Sequence, residues 1–451
     1  MGQRFGLLGE HLKHSFSPLI HAELGNYEYS LYEKQPEELS DFLLKGDFDG
    51  LNVTIPYKKS VIPFCGSLSE TARVTGSVNT IKRMGDGSLY GDNTDCCGFA
   101  YLFRKTGVNP ADGKTIVLGS GGSSLTVQSV LRDMGAREIV VVSRNPPPGQ
   151  KDEVSPLNRK INYKNIGEHS DAIMIVNTTP VGMYPNNGIS PIPNPDIFRQ
   201  CQAVIDLIYN PARTELLMQA EKLNILAVNG LAMLVAQAKR AAELFTNTSI
   251  PDEAIESIIT KISRRTFNIV LIGMPGCGKT SIGAALAKIT GRGFADTDDW
   301  IADAAGKTIP AIIAEYGENA FRKLETEALQ ALCKQSGLVI ATGGGVVTQP
   351  GNRRIIRQNG IIVFLDRDLS QLSVSGRPLS QRDGIAMLAA ERLPLYSQWS
   401  ECTVAVRGIE QTASDIHEQL YRQHLHGMPP FPAGAKFAFQ PSTSCKELPG
   451  V

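Results

Sequence analysis

At 451 residues the chain is longer than a single hydrophobic core can usefully grow, so two or three domains are expected. Lys+Arg and Asp+Glu balance at 45 each, which removes the electrostatic case for nucleic acid or an anionic membrane as a main partner. With 42% hydrophobic and 20% charged residues, no apolar run of spanning length and no signal-peptide core, a soluble cytoplasmic protein is expected.

Arg4 to Leu8 reads as a short strand, followed by Ser15-Phe16-Ser17-Pro18. Two serines one residue apart, with proline at a first helical turn, would set two hydroxyls beside a helix N-terminus suited to a carboxylate; helix capping by Ser17 is the simpler alternative. Gly50 to Lys58 is a β-prone run ended by Pro56, with Lys58 and its neighbour Lys59 on opposite faces of an extended segment. Gly91-Asp92-Asn93-Thr94-Asp95 reads as a turn. Taken together, Ser15-x-Ser17, Asn52-Val53-Thr54-x-Pro56-x-Lys58, Ser77-Val78-Asn79-Thr80 and Gly91-x-Asn93-Thr94-Asp95 resemble the shikimate dehydrogenases in order and spacing. The resemblance implies that Ser15 and Ser17 bind the substrate carboxylate, that Thr54, Asn79 and Asp95 bind ring hydroxyls, and that Lys58 and Asp95 form the catalytic pair.

Lys114 to Leu118 is a buried-strand run, Gly119-Ser120-Gly121-Gly122-Ser123 opens a helix continuing to Met134, and Glu138 to Val142 is the next strand, together a βαβ nucleotide unit. Its second strand ends in Ser143-Arg144, where an NAD-preferring site would want an acidic group; a guanidinium suits a ribose 2′-phosphate and favours NADP(H). Pro146-Pro147-Pro148-Gly149 stands where the family has further basic residues, so the NADP preference is expected to be weaker than usual. Farther on, Asn177 to Met183, Asp206 to Pro211 and Gly230-x-x-Met233-Leu234-Val235-x-Gln237 resemble the later family loops. By that resemblance Leu207 lies near the nicotinamide, Gly230 belongs to the cofactor site, and Tyr209 and Gln237 reach the substrate. The polar stretch 246–266, with a short helix from Asp252 to Arg265, reads as a connector without rigid coupling.

Asn268 to Ile272 then opens Gly273-Met274-Pro275-Gly276-Cys277-Gly278-Lys279-Thr280-Ser281, which fills every fixed position of the phosphate-binding loop G-x-x-x-x-G-K-[ST]. Its glycines let backbone N–H groups face a polyphosphate, Lys279 adds a point charge, and Thr280 offers a hydroxyl to Mg²⁺. Asp296 and Asp298, alternate residues at a strand end, converge on the metal and the acceptor hydroxyl, while Asp299 caps a helix starting near Trp300. Gly317-Glu318-x-x-Phe321-Arg322-x-x-Glu325, Ala341 to Val347, Gly376-Arg377-Pro378 and Glu391-Arg392-x-Pro394-Leu395-Tyr396 complete a set similar to shikimate kinases over residues 267 to 406. That similarity implies that Asp298, Arg322, Gly344 and Arg392 hold shikimate, Thr280 and Asp296 position Mg²⁺, Arg377 on the lid neutralises the moving phosphoryl group, and Gly276 to Ser281 with Arg377 bind ATP. The lid stretch Ser370 to Ser375 is uncharged where the family carries a second basic residue, which puts the contacts to the base of ATP in question.

The eight cysteines form no C-x-x-C pair and the seven histidines no zinc-ligand pattern, so reduced thiols and no transition metal are expected. The expectation is therefore an α/β chain: a substrate domain at 1–100 with returning helix 230–245, a Rossmann-like domain at 101–229, a linker at 246–266, a P-loop domain of the NMP-kinase type at 267–423 and a disordered tail at 424–451. Small-molecule substrates, 3-dehydroshikimate and shikimate, are expected, with NADP(H), ATP and Mg²⁺ as cofactors; the oligomeric state is not readable. Two alternatives stand beside a working bifunctional enzyme: an inactive metabolite-sensing regulator, and quinate or NAD specificity at the first site.

Overall fold

The computed structural model describes residues 3–12, 15–144, 158–372 and 384–423. Arg377, the proline run 146–148 and the tail from residue 424 lie outside the described residues.

Three sheets follow one another along the chain. The first has the order β2-β1-β3-β5-β6-β4, formed by Arg4–Gly9 (β1), Glu28–Glu33 (β2), Gly50–Val53 (β3), Ser67–Leu68 (β4), Thr80–Arg83 (β5) and Leu89–Asp92 (β6). β1 pairs in parallel with both neighbours, whereas β3, β5 and β6 run antiparallel. Pro56 does not end an extended run that carries Lys58: the strand stops at Val53, and Tyr57 N–H to Thr54 O and Val61 N–H to Tyr57 O wind residues 55–61 into turns. Burial of Tyr57 and Val61 in the first core drives that winding, so the extended-segment reading of Lys58 and Lys59 is corrected.

The second sheet is parallel throughout, β12-β11-β10-β7-β8-β9, from Lys114–Leu118 (β7), Glu138–Ser143 (β8), Asn158–Asn162 (β9), Met174–Asn177 (β10), Ala203–Asp206 (β11) and Leu226–Asn229 (β12). Its central strands are apolar on both faces because helices cover both, the Gly122–Asp133 helix among them. The third sheet, β14-β15-β13-β16-β17, is also parallel, from Asn268–Ile272 (β13), Gly293–Asp296 (β14), Leu338–Ala341 (β15), Gly360–Asp366 (β16) and Cys402–Ala405 (β17). All five residues of β13 are buried at its centre, which places the loop that follows at the carboxyl edge, where open α/β sheets bind ligands.

The stretch read as a connector is a packed element. The Glu253–Thr266 helix presents Ile255, Ile258 and Ile262, spaced for one helical face, against Ile20, Leu231 and Val235. Those three isoleucines are at most 2% exposed, so the segment belongs to the core around the Leu231–Thr246 helix and leads into β13 two residues later. Composition misled here because the other helix face carries the charged residues.

Candidate active sites

The first site is a continuous hydrogen-bonded chain. It starts at the Tyr29 hydroxyl, which donates to Asn52 Oδ1 at 2.8 Å; Asn52 Nδ2 donates to Thr80 Oγ1 at 3.3 Å. Thr80 lies 3.1 Å from Thr94 Oγ1, and Asn79 Nδ2 reaches both Thr94 Oγ1 (3.0 Å) and Asp95 Oδ1 (2.9 Å). The chain ends where Lys58 Nζ donates to Asp95 Oδ2 at 2.6 Å, with Gln237 Oε1 3.3 Å from Thr94 Oγ1. Lys58 is anchored at its own carbonyl by Val78 N–H, and Asp95 stands at the start of the Asp95–Arg104 helix, where the macrodipole favours its charge. The sequence-predicted Asn79, Asp95, Lys58 and Gln237 are thus brought into one network, while Ser17 is buried at the start of the Ser17–Leu24 helix. Tyr29 on β2, Asn52 on β3 and Thr94 in the turn after β6 join this network although the sequence assigns them no role. His21 stacks on Tyr29 at 3.8 Å, and burial drives its pKa down to about 3, so it is neutral packing.

Ser15 Oγ accepts from Ser17 N–H at 3.2 Å, and Phe16 between them packs on Tyr209 at 5.2 Å. Thr54 is half-buried at the end of β3. The Tyr209 loop is tied down by Asp206, fully buried and accepting from Thr214 Oγ1 (2.7 Å), Asn177 Nδ2 (2.9 Å) and Ile208 N–H (3.1 Å). Burial outweighs these donors and raises its pKa to about 7. A Cβ on Gly230 would stand 2.0 Å from Leu207 O, so the glycine allows this loop to close on the next helix. In the Gly119–Ser123 turn, Gly119 has φ +101°, while a Cβ on Gly121 or Gly122 would meet nothing within 4 Å among the described residues. A dinucleotide phosphate fits that open backbone at a helix N-terminus. Ser143 is buried beneath it and Arg144 is exposed at the end of β8, its carbonyl held by Asn162 Nδ2 at 3.0 Å.

At the second site, Gly276 (φ +83°) and Gly278 (φ +101°) shape the loop between β13 and the Lys279–Thr290 helix. Lys279 Nζ, 8% exposed, donates to Gly273 O (2.9 Å) and Met274 O (3.1 Å); Cys277 is buried below and Ser281 is exposed above. Thr280 Oγ1 donates to Asp296 Oδ2 at 2.7 Å, two hard oxygen donors at a phosphate loop, which fits Mg²⁺. Asp296, not Asp299, caps the next helix: its Oδ1 accepts from Asp298 N–H at 2.9 Å, so the helix begins at Thr297 rather than near Trp300.

Beyond these, Arg322 donates to Glu325 Oε2 at 2.9 Å and to Glu318 Oε1 at 3.3 Å, while Arg392 donates to Gly344 O at 3.3 Å. Asp298 Oδ1, Glu325 Oε1 and Arg392 Nε are buried with no hydrogen-bond partner among the described residues, and Arg392 Nε lies 3.8 Å from Glu391 Oε2. Three glycines pack this wall: a Cβ on Gly343 would stand 2.4 Å from Glu325 Oε1, on Gly344 2.6 Å from Pro275, and on Gly345 2.1 Å from Arg322. Burial first, then the nearby carboxylates of Asp296 and Glu325, push Asp298 up to about 6. Glu325 is likewise raised by burial; it stood in the sequence motif without a role, and the structure makes it the buried carboxylate that orients Arg322.

The chain is 38% identical over 274 residues to the NADP(+) shikimate dehydrogenase of Methanopyrus kandleri, covering 93% of that protein and 56% of this chain. It belongs to the shikimate dehydrogenase family. Residues 7–81 of this shikimate dehydrogenase match the family's substrate binding domain, and residues 275–423 match the shikimate kinase family, so a kinase domain follows the dehydrogenase part. Among solved structures, a chorismate mutase/shikimate 5-dehydrogenase fusion protein from Clostridium acetobutylicum aligns with TM-score 0.53 and 36% identity over 58% of this chain and 97% of its own. The shikimate 5-dehydrogenase of Thermus thermophilus in complex with NADP(H) and shikimate aligns with TM-score 0.51 and 30% identity over 57% of this chain and 99% of its own. Among the described residues, no helix of this dehydrogenase–kinase chain is long and apolar enough to cross a membrane.

Proposed function

We propose that the chain reduces 3-dehydroshikimate to shikimate with NADPH at its first site and phosphorylates shikimate at the 3-hydroxyl with MgATP at its second. One observation carries the reading of the first site: Lys58 and Asp95 close a polar chain that runs through Asn79, Thr94, Thr80 and Asn52 to Tyr29, a wall along which the oxygens of one small ring would be held together. When bound, NADPH supplies the hydride and MgATP the phosphoryl group. Lys58 then stabilises and protonates the oxygen that gains charge as the ketone is reduced, while Asp95 keeps the ammonium aimed and, with Asn79, Thr54, Tyr209 and Gln237, fixes the ring. Gly119 to Ser123, Ser143, Arg144, Leu207 and Gly230 are the dinucleotide-site candidates. Arg144 favours the 2′-phosphorylated form, in keeping with relatives named for NADP(+).

At the second site Arg322 and Arg392 suit the substrate carboxylate, since a planar fork matches it bidentately. Asp298 orients the 3-hydroxyl and accepts its proton; Lys279 and the Gly276–Ser281 backbone hold the phosphates; Thr280 and Asp296 hold the metal. Arg377 is kept as the lid group that would cover the transferring phosphate. Because Asp298 ionises near pH 6 and is needed ionised, log(kcat/KM) for shikimate phosphorylation should fall by about one per pH unit below 6. The dehydrogenase activity should lack that limb, and Asp298→Asn should abolish phosphorylation at every pH while leaving the dehydrogenase activity in place.

The substrate assignment is tested by steady-state assays of the whole chain with shikimate or quinate, each with NADP⁺ or NAD⁺. Shikimate with NADP⁺ should give the highest kcat/KM; faster oxidation of quinate would overturn the assignment. An inactive regulator would have had little reason to retain both Lys58 opposite Asp95 and Lys279 in its loop.

A further inference from the structure

The two enzymes meet at the loop that carries Tyr209, and the meeting surface supplies hydrogen bonds that this loop does not make to its own half. Ala212 N–H donates to Asn359 Oδ1 at 2.8 Å, and Arg213 N–H to Gln358 O at 2.9 Å. Asn359 Nδ2 lies 3.4 Å from Asn210 Oδ1, and Asn187 Nδ2 donates to Gln358 Oε1 at 3.1 Å. Gln358 and Asn359 are both buried. Their backbone is fixed in turn by the kinase sheet, because Asn268 N–H at the head of β13 donates to Asn359 O at 2.7 Å just before β16 begins. Ion pairs from Arg357 to Glu221 at 3.4 Å and from Arg354 to Glu215 flank the seam.

The seam leads to the substrate end of the first site. A cavity of about 20 Å³ joins Phe16, Tyr209, Asn210, Asn229, Ser263 and Asn359. It is large enough for one water molecule, and the Ser263 hydroxyl on its wall is buried with no hydrogen-bond partner among the described residues. Phe16 separates the two serines assigned to the carboxylate, and Tyr209 packs on it. Without the kinase half, the Ala212 and Arg213 N–H groups would turn to water and the loop would lose its anchors on one side, while Asp206, Thr214 and Asn229 would still hold the other.

We infer that the kinase turn Gln358-Asn359 is a positioning element of the dehydrogenase: it sets the substrate-side end of the loop bearing Tyr209, and so the affinity of the first site for its carboxylated substrate. The ordering entropy of that loop is met by contacts from the neighbouring enzyme, so substrate binding need not meet it again. This inference rests on the assignment of the first site as the shikimate-oxidising one.

The test uses the full chain with Asn359→Ala and, separately, Gln358→Ala. Kinetics of shikimate oxidation and of shikimate phosphorylation are measured beside the thermal midpoint. Asn359→Ala should raise KM for shikimate in the oxidation about fivefold, the effect of about one hydrogen bond, with kcat and KM for NADP⁺ within about twofold. Gln358→Ala should raise the same KM about twofold to threefold, and Gln358→Glu, which keeps the acceptor for Asn187, should restore it. Phosphorylation should be unchanged in the Gln358 variants. If Asn359→Ala fails to fold, the Gln358 pair decides alone. An unchanged KM for shikimate in folded variants, or parallel loss of both activities, would overturn the inference while leaving the site assignment standing. Failure of the unaltered chain to oxidise shikimate would instead overturn the assignment, and this inference with it.

Discussion

Lys58→Ala is expected to lower kcat for 3-dehydroshikimate reduction by about 10³-fold while shikimate phosphorylation by the same preparation stays within twofold. The magnitude follows from the usual worth of a positioned general acid, 10²–10⁴ in rate. Lys58 makes its charged contact with Asp95 at 2.6 Å and is partly exposed, so its removal leaves no large buried void; the effect should sit in kcat rather than in stability. Asp95 keeps its hydrogen bond from Asn79, which preserves the rest of the substrate wall. Retained kinase turnover in the same tube is the internal control for folding, and kinetics with both substrates read the outcome directly.

The converse change, Lys279→Ala, is expected to lower phosphorylation by about 10³-fold and leave the reduction intact, on the scale of removing one preorganised charge from a transferring group. Lys279 also donates to Gly273 O and Met274 O, so the variant loses two bonds that shape its own loop. A rise in KM for ATP should accompany the fall in kcat for that reason. The anchors of the Tyr209 loop lie at the opposite, amino-terminal end of β13, which is why the dehydrogenase should not register the change. If either variant silenced both activities in a folded chain, separate chemical centres would be the wrong description.

How far these sites were legible in the sequence depended on how local their determinants are. The phosphate loop was readable residue by residue, because its geometry is set by Gly276, Gly278 and Lys279 within a few positions of one strand. Lys58 and Asp95 are 37 residues apart, and only the family pattern joined them; nothing in their own neighbourhoods marks either as paired. Asp206, Glu325 and the Tyr29–Asn52 bridge escaped notice because buried polar groups acquire meaning only when tertiary packing withdraws water from them. The helix Glu253–Thr266 is legible in the sequence as a helix, from Asp252 to Arg265, but not as core, since its isoleucine stripe is hidden among charges when read linearly. The seam at Gln358 and Asn359 lay beyond any local reading: two amides in a polar turn carry no signal until the neighbouring loop is brought against them.

One small carboxylated ring alcohol recognised at two places along one chain is the idea on which the rest depends. Supplying the purified, unaltered chain with 3-dehydroshikimate, NADPH and MgATP tests it most directly, with NADP⁺, ADP and the phosphorylated product followed together. NADP⁺ and ADP should accumulate one for one after a short lag, and the product should carry its phosphate on the 3-hydroxyl. Oxidation of NADPH with no ADP formed, or ADP formed with no dependence on the reduced product, would contradict the account.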